Sequence, residues 1–311
     1  MRYRSLGTIG LRVSEIGFGV GAVTAGDLAQ RPDDEVVALL RRALDLGITL
    51  FDTADADGPD GRGELLLGRA VRGRRDEVTL ATKFGWDFDA PRRLGGPGEP
   101  VQDWSTAYAS RALDRSLGRL GLEPIDLWQL HHPGMDAIES QELFAFLDEQ
   151  VVKGKVRCYG VALGPGSGWA DEGVAALRER RVAAVQAVCS LLEPEPGREL
   201  ARVAAETGAG LLARLSAPPA PAWDRRRATG PGPPGGREAA MLERLDFLTR
   251  DRGQPLGQAQ CRFALGTPGV AAVLPDIHDE ERLVEYANAA DLPDLTAEDA
   301  DRLAELHETR P

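Results

Sequence analysis

Short apolar runs alternate with amphipathic stretches along almost the whole chain. The pattern is plainest near residue 50. Asp33-Asp34-Glu35 places acids at the start of a helix whose apolar positions Val36, Val37, Leu39, Leu40, Ala43 and Leu44 share one face. Gly47 stops that helix, and the apolar run from Ile48 to Ala54 follows at once as a buried strand. The same alternation predicts strands at 78–83, 125–131, 156–163, 183–189, 210–215 and 270–274. Helices are predicted at about 64–71, 105–120, 140–152, 198–207, 256–265, 279–290 and 297–308, with a short one ending near Arg180 and another at about 238–250. Ser14 to Val20 is the first core strand. Before it, Gly7 and Gly10 punctuate short apolar stretches in a way that suits a small hairpin.

Eight strand-then-helix units imply a parallel sheet. Closing that sheet gives an α/β fold of the (β/α)8 TIM-barrel kind, with a short N-terminal hairpin and an extra C-terminal helix. An open doubly wound sheet is the alternative, disfavoured because no GxGxxG follows the first strand. No shift in composition divides the chain, so residues 1–311 read as one domain. One segment breaks the rhythm. Ala217 to Gly236 is too rich in proline and glycine for regular structure. It reads as a loop after strand seven, and so as a candidate lid or a plain surface loop.

Composition narrows the partners. A formal charge of −12 argues against nucleic acid or an anionic membrane, since both call for clustered Lys and Arg. No apolar run approaches ~20 residues, so no membrane span is expected. The first residues lack the apolar core of a secretory signal, which makes the cytoplasm the expected location. The three cysteines, Cys158, Cys189 and Cys261, are widely spaced and read as buried thiols rather than as a metal or disulfide site.

Strand C-terminal ends in a barrel converge on one mouth. Asp52, Lys83, His131 and Gln186 occupy such ends on four different strands. A capping Asp, a surface Lys or a satisfied His would each be unremarkable alone. Four polar groups at matching ends of apolar strands point to a shared site, because burying them unpaired costs several kcal/mol. Lys83 and Asp52 are expected to form an ion pair.

Specific stretches then carry a resemblance. They are Tyr3-Arg-Ser-Leu-Gly7 with Gly10-Leu-Arg-Val-Ser-Glu-Ile-Gly-Phe-Gly19, Phe51-Asp-Thr-Ala-Asp55, Gly61-Arg-Gly-Glu-Leu-Leu-Leu-Gly-Arg69 and Ala81-Thr-Lys83. Asp126-Leu-Trp-Gln-Leu-His-His-Pro133, Gly154-Lys-Val-Arg-Cys-Tyr-Gly-Val161, Val185-Gln186 and Asp294-Leu-Thr-Ala-Glu-Asp299 extend it over essentially the whole length. On these the chain resembles the aldo-keto reductases. The resemblance implies a metal-free barrel that reduces carbonyls with hydride from NADPH. It also implies a tyrosine as proton donor, a lysine–aspartate pair that tunes it, and a histidine that orients the carbonyl. Asp52, Lys83 and His131 match the aspartate, lysine and histidine. The tyrosine's position is Asp57, so the chain reads as a divergent member.

The implied cofactor residues are Gln186, Arg214, His278 and Arg282, for NADP or NAD. Ala162 and Leu163 stand where the family has a polar Ser-Asn pair, and Asp276 would repel a 2′-phosphate. Three readings therefore follow. The first is an NAD(P)H-dependent oxidoreductase of a small carbonyl or alcohol with a non-standard proton donor. The second is a cofactor-independent lyase, isomerase or hydrolase using Asp57, Lys83 and His131. The third is a non-catalytic ligand- or partner-binding barrel. The sequence leans towards an enzyme with a small-molecule substrate; it gives neither that substrate nor an oligomeric state. Beside Lys83, Asp57 would stay ionised, whereas beside Asp52 it would resist ionisation; the sequence leaves both open.

Overall fold

The computed structural model describes residues 1–24, 28–87, 101–164, 169–191, 193–215, 244–249 and 253–308. The chain opens with a hairpin, β1 (Tyr3–Ser5) against β2 (Arg12–Ser14), antiparallel. The barrel strands are β3 (Phe18–Gly19), β4 (Leu50–Asp52), β5 (Thr79–Phe84), β8 (Ile125–His131), β9 (Val156–Ala162), β10 (Ala184–Val188), β11 (Gly210–Arg214) and β12 (Val270–Leu274), each parallel to the next. A two-stranded flap, β6 (Trp86–Asp87) with β7 (Val101–Gln102), rises from the end of β5. The sheet comes round on itself through a parallel bridge between Ile16 and Val273, with Gly17 N–H donating to the Val273 carbonyl and Val273 N–H to the Glu15 carbonyl, both at 2.8 Å. The expected barrel is the observed one.

Helices α1 (Gly21–Thr24), α2 (Asp33–Asp45), α3 (Arg62–Ala70), α4 (Thr106–Leu120), α5 (Met135–Glu139) and α6 (Gln141–Val152) accompany the first half. The second half carries α7 (Ala170–Arg178), α8 (Gly197–Thr207), α9 (Asp246–Thr249), α10 (Leu256–Gly266), α11 (Glu280–Ala289) and the extra C-terminal α12 (Ala297–Glu308). Outward-facing strand residues such as Phe51, Leu80, Phe84, Trp128 and Leu130 pack with the helices in one large apolar layer. Inward-facing Leu50, Ala81, Leu127, Cys158, Ala184 and Leu212 form a second cluster inside the barrel, and Leu6 and Val13 of the hairpin plug it from below. Period-two alternation makes this division. Along β8, Leu127 fills the interior, and Gln129 and His131 follow it on the same face toward the mouth.

The expected strand over 14–20 is divided in two. Ser14 Oγ donates to the Ile16 carbonyl (2.6 Å) and accepts from Thr49 N–H (2.9 Å), which turns the chain from hairpin to barrel before β3 begins. The short α5 was not anticipated. Of the helix expected at 238–250, residues 246–249 are helical and most of the rest lies outside the described residues, as does the proline- and glycine-rich segment at 217–236. All three cysteines are buried free thiols.

Glu15 holds the closure from beneath. Its carboxylate takes Arg2 (3.0 Å), Arg4 (2.7 Å) and the buried Arg262 (3.3 Å), and Arg262 also pairs with Asp294. Removing the carboxylate leaves Arg262 in the interior with one partner fewer, and breaking a buried pair typically costs about 3–5 kcal/mol. Glu15→Ala is expected to lower the urea midpoint accordingly. An unchanged midpoint would show that the hairpin network does not secure the barrel.

Candidate active site

Strand register sets the site. Asp52 lies beside Gly19 and Ala81, Lys83 beside Gln129, His131 beside Ala162, and Ala162 beside Gln186. Asp52 is the hub. Lys83 Nζ donates to its Oδ2 at 2.6 Å, Gln129 Nε2 to its Oδ1 at 3.1 Å and Gln186 Nε2 to its Oδ2 at 3.2 Å. Both partners of the ion pair are buried, so it survives through its extra hydrogen bonds as much as through its Coulomb attraction.

Thr53 ties the pair to the unusual carboxyl. Its carbonyl accepts from Lys83 Nζ at 2.8 Å, and its hydroxyl donates to Asp57 Oδ2 at 3.0 Å. Asp57 N–H donates to the Ala54 carbonyl (3.0 Å) and the Asp57 carbonyl accepts from Gly63 N–H (2.7 Å), which fixes a tight turn. The Gly61-Arg-Gly segment now has a physical reason. Gly61 takes a left-handed φ of 70° ahead of α3, and a side chain at Gly63 would strike the Asp57 Cβ and the Thr53 hydroxyl. Gly21 clears the other side, since a Cβ there would meet Asp57 Oδ1 at 2.8 Å.

Burial pushes Asp57 up to about 6, with Asp52 adding to the rise and Lys83 and the Thr53 hydroxyl opposing it. Desolvation decides the two-way contest that the sequence left open. Asp55, two residues earlier, is raised well above its ordinary value by burial and then by Glu64, and its Oδ1 has no partner among the described residues. His131 is pushed well below its ordinary value, first by burial and then by Lys83, His132 and Arg214. Its ring is therefore neutral, able to present one N–H to a carbonyl oxygen.

Four of the eight anticipated residues, Asp52, Lys83, Asp57 and Gln186, share one hydrogen-bonded network through Thr53. His131 stands on the next strand, and Lys83 contributes to its shift. Arg214 ends β11 beside the β10 register, its Nη2 donating to the carbonyls of Leu163 (2.7 Å) and Gly164 (2.8 Å). Among the described residues neither His278 nor Arg282 bonds to this network. Arg282 pairs with Glu285 at 2.8 Å, and its backbone N–H is capped by Asp279. Gln129 and Thr53 were missed. Gln129 was legible from its place two residues before His131 on the same strand face.

The Aldo/keto reductase family profile matches residues 15–308. The chain belongs to the aldo/keto reductase family. Among solved structures it is similar to aldo-keto reductase AKR11C1 from Bacillus halodurans in its holo form. That match has a TM-score of 0.80 and 26% identity and covers 98% of this chain and 96% of that one. The thermostable aldo-keto reductase Tm1743, solved with the inhibitor epalrestat, shares the fold at a TM-score of 0.74 and 24% identity, over 98% of this chain and 100% of that one. In sequence it is 36% identical over 169 residues to a 6-dehydroglucose reductase of Novosphingobium aromaticivorans, 51% of each chain. It is 35% identical over 164 residues to the uncharacterized oxidoreductase YqkF of Bacillus subtilis, 52% of this chain and 49% of that one. These two matches span about half the length of each relative. Among the described residues no helix is long and apolar enough to cross a membrane, and no cluster of His, Cys, Asp and Glu could hold a metal ion.

Asp57 gives a direct electrostatic test. Its folded pKa of about 6 lies above the unfolded value near ~3.9, so the native chain holds the extra proton between those pH values. The charged form is the disfavoured one, and Asp57 therefore subtracts stability as pH rises from about 4 to 6. Relative to wild type, Asp57→Asn should gain in urea midpoint across that window and level off above it. A constant difference from pH 4 to 7 would contradict the shifted carboxyl.

Proposed function

We propose that the chain is a nicotinamide-dependent oxidoreductase that interconverts a small carbonyl compound and its alcohol, with the Asp57 carboxyl giving the proton to the carbonyl oxygen. The bridge at Thr53 carries this reading. One residue holds the lysine–aspartate pair by its carbonyl and the Asp57 carboxyl by its hydroxyl, so the altered acid stands in the electrostatic field of the retained pair.

A bound nicotinamide supplies or accepts the hydride. The residues present fit its carboxamide at Gln186, whose Nε2 is taken by Asp52 while its buried Oε1 has no partner among the described residues and can accept an N–H. Ala162 and Leu163, both buried, add no polar side chain there. The neutral His131 donates to the substrate oxygen and orients it. Asp57, protonated below about 6, gives its proton as charge develops on that oxygen. Lys83 steadies the carboxylate left behind, and solvent returns the proton.

The second reading, a cofactor-independent acid–base enzyme, draws on the apolar Ala162–Leu163 pair. A titration separates the two. Quenching of tryptophan fluorescence by NADH or NADPH at micromolar concentrations is expected; no binding at millimolar cofactor would overturn the oxidoreductase. Arg282 is already paired with Glu285, and Asp276, two residues after β12, adds a carboxylate rather than a cation to that loop. NADPH should therefore gain no more than about tenfold over NADH, the worth of one exposed ion pair.

Asp57→Asn should lower carbonyl reduction by ~10²–10⁴ at pH 6 with cofactor affinity unchanged, the usual loss of a positioned acid. Asp57→Tyr should restore reduction above neutral pH, since a phenol keeps its proton there. Loss of cofactor binding in Asp57→Asn would instead assign the residue a structural part.

A further inference from the structure

A continuous wall of rings runs from His131 to the Arg214 guanidinium. Trp86, on the flap strand β6, stands edge-on to His131 (centroids 6.4 Å apart, 83°) and to His132 (6.2 Å, 86°). The two imidazoles are 4.4 Å apart, and His132 lies 6.3 Å from the Trp169 ring, tilted by 39°. Trp169 in turn rests on Gly164, where any side chain would run into the indole. The carbonyl of that same Gly164 accepts from Arg214 Nη2.

The wall is built rather than incidental. His132 holds a left-handed φ of 56°, a strained conformation for a residue with a Cβ. Gln102, from the other flap strand, fixes that conformation by donating its Nε2 to the carbonyls of His131 (3.1 Å) and His132 (2.8 Å). The imidazole of His132 is pushed down to about 4 by burial, Arg214 and Lys83, so it is a neutral ring at physiological pH. Trp86, His132 and Trp169 are all partly exposed, and so reachable.

Arg214 ends the wall. Among the described residues its guanidinium donates to two carbonyls, its Nε is buried with no partner, and Asp52 and Asp276 act on it only from beyond ion-pairing distance. A partly desolvated guanidinium with no carboxylate in direct contact is costly, and a ligand anion compensates it by charge-assisted hydrogen bonds. Flat aromatic faces favour planar rings, which gain from stacking or meeting edge to face beyond their buried area.

From this juxtaposition we infer that the mouth takes a planar, ring-bearing substrate with an anionic group such as a carboxylate, the ring against Trp86, His132 and Trp169 and the anion on Arg214. The inference rests on the oxidoreductase reading only for the carbonyl such a substrate would carry; the binding preference stands without it.

Calorimetric titration of the cofactor-free chain with benzoate, benzamide and cyclohexanecarboxylate tests it. Benzoate should bind at least tenfold more tightly than the neutral benzamide and the non-planar cyclohexanecarboxylate. Arg214→Met should abolish the advantage over benzamide, and Trp169→Ala the advantage over cyclohexanecarboxylate, with unchanged circular dichroism showing that each variant folds. Equal affinities for the three probes, or no saturable benzoate binding in the millimolar range, would overturn the inference. Benzoate preference without NADH or NADPH binding would sink the oxidoreductase reading alone. Cofactor binding without benzoate preference would sink the ring-and-anion inference alone.

Discussion

A lysine ammonium held at the mouth of an apolar barrel is the constraint on which the site depends. Lys83 has little contact with solvent, and its buried ammonium is compensated by Asp52 at 2.6 Å and by the Thr53 carbonyl. Asp52 needs its own support, and two glutamines from β8 and β10 give it. Those contacts require four strand ends to stand level. The register of the parallel sheet, the closure at Ile16 and Val273, and the Glu15 network beneath it all serve that alignment.

The same constraint explains how Asp57 differs from an ordinary aspartate. A carboxylate beside a lysine normally titrates low. Lys83, however, is already committed to Asp52, so what reaches Asp57 is the field of a neutralised pair, and burial outweighs it. The result is a carboxyl that changes charge near pH 6. That is a usable acid in the range where an unperturbed aspartate would already be ionised. Neutral His131 next to it follows from the same burial, since a second cation beside Lys83 would be repelled.

Much of this was legible in the residues. Apolar runs of five to eight with helical stretches between them pointed to the barrel, and polar residues at matching run ends pointed to Asp52, Lys83, His131 and Gln186. The split of the first strand was not legible, because Ser14 turns the chain through hydrogen bonds to Thr49, thirty-five residues away. The titration of Asp57 was equally hidden: two neighbours pull it in opposite directions, and only burial in three dimensions breaks the tie. Gln129 was within reach through period-two alternation from His131. The ring wall was not, since Trp86, His132 and Trp169 come from three separate segments and meet only across the mouth.

The pH dependence of kcat/KM for carbonyl reduction bears most directly on the central claim that Asp57 is the proton donor. With its carboxyl at about 6, the rate should be maximal in acid and fall tenfold per pH unit above that value, as the protonated fraction falls. A rate that stays level from pH 5 to pH 8 would contradict the account.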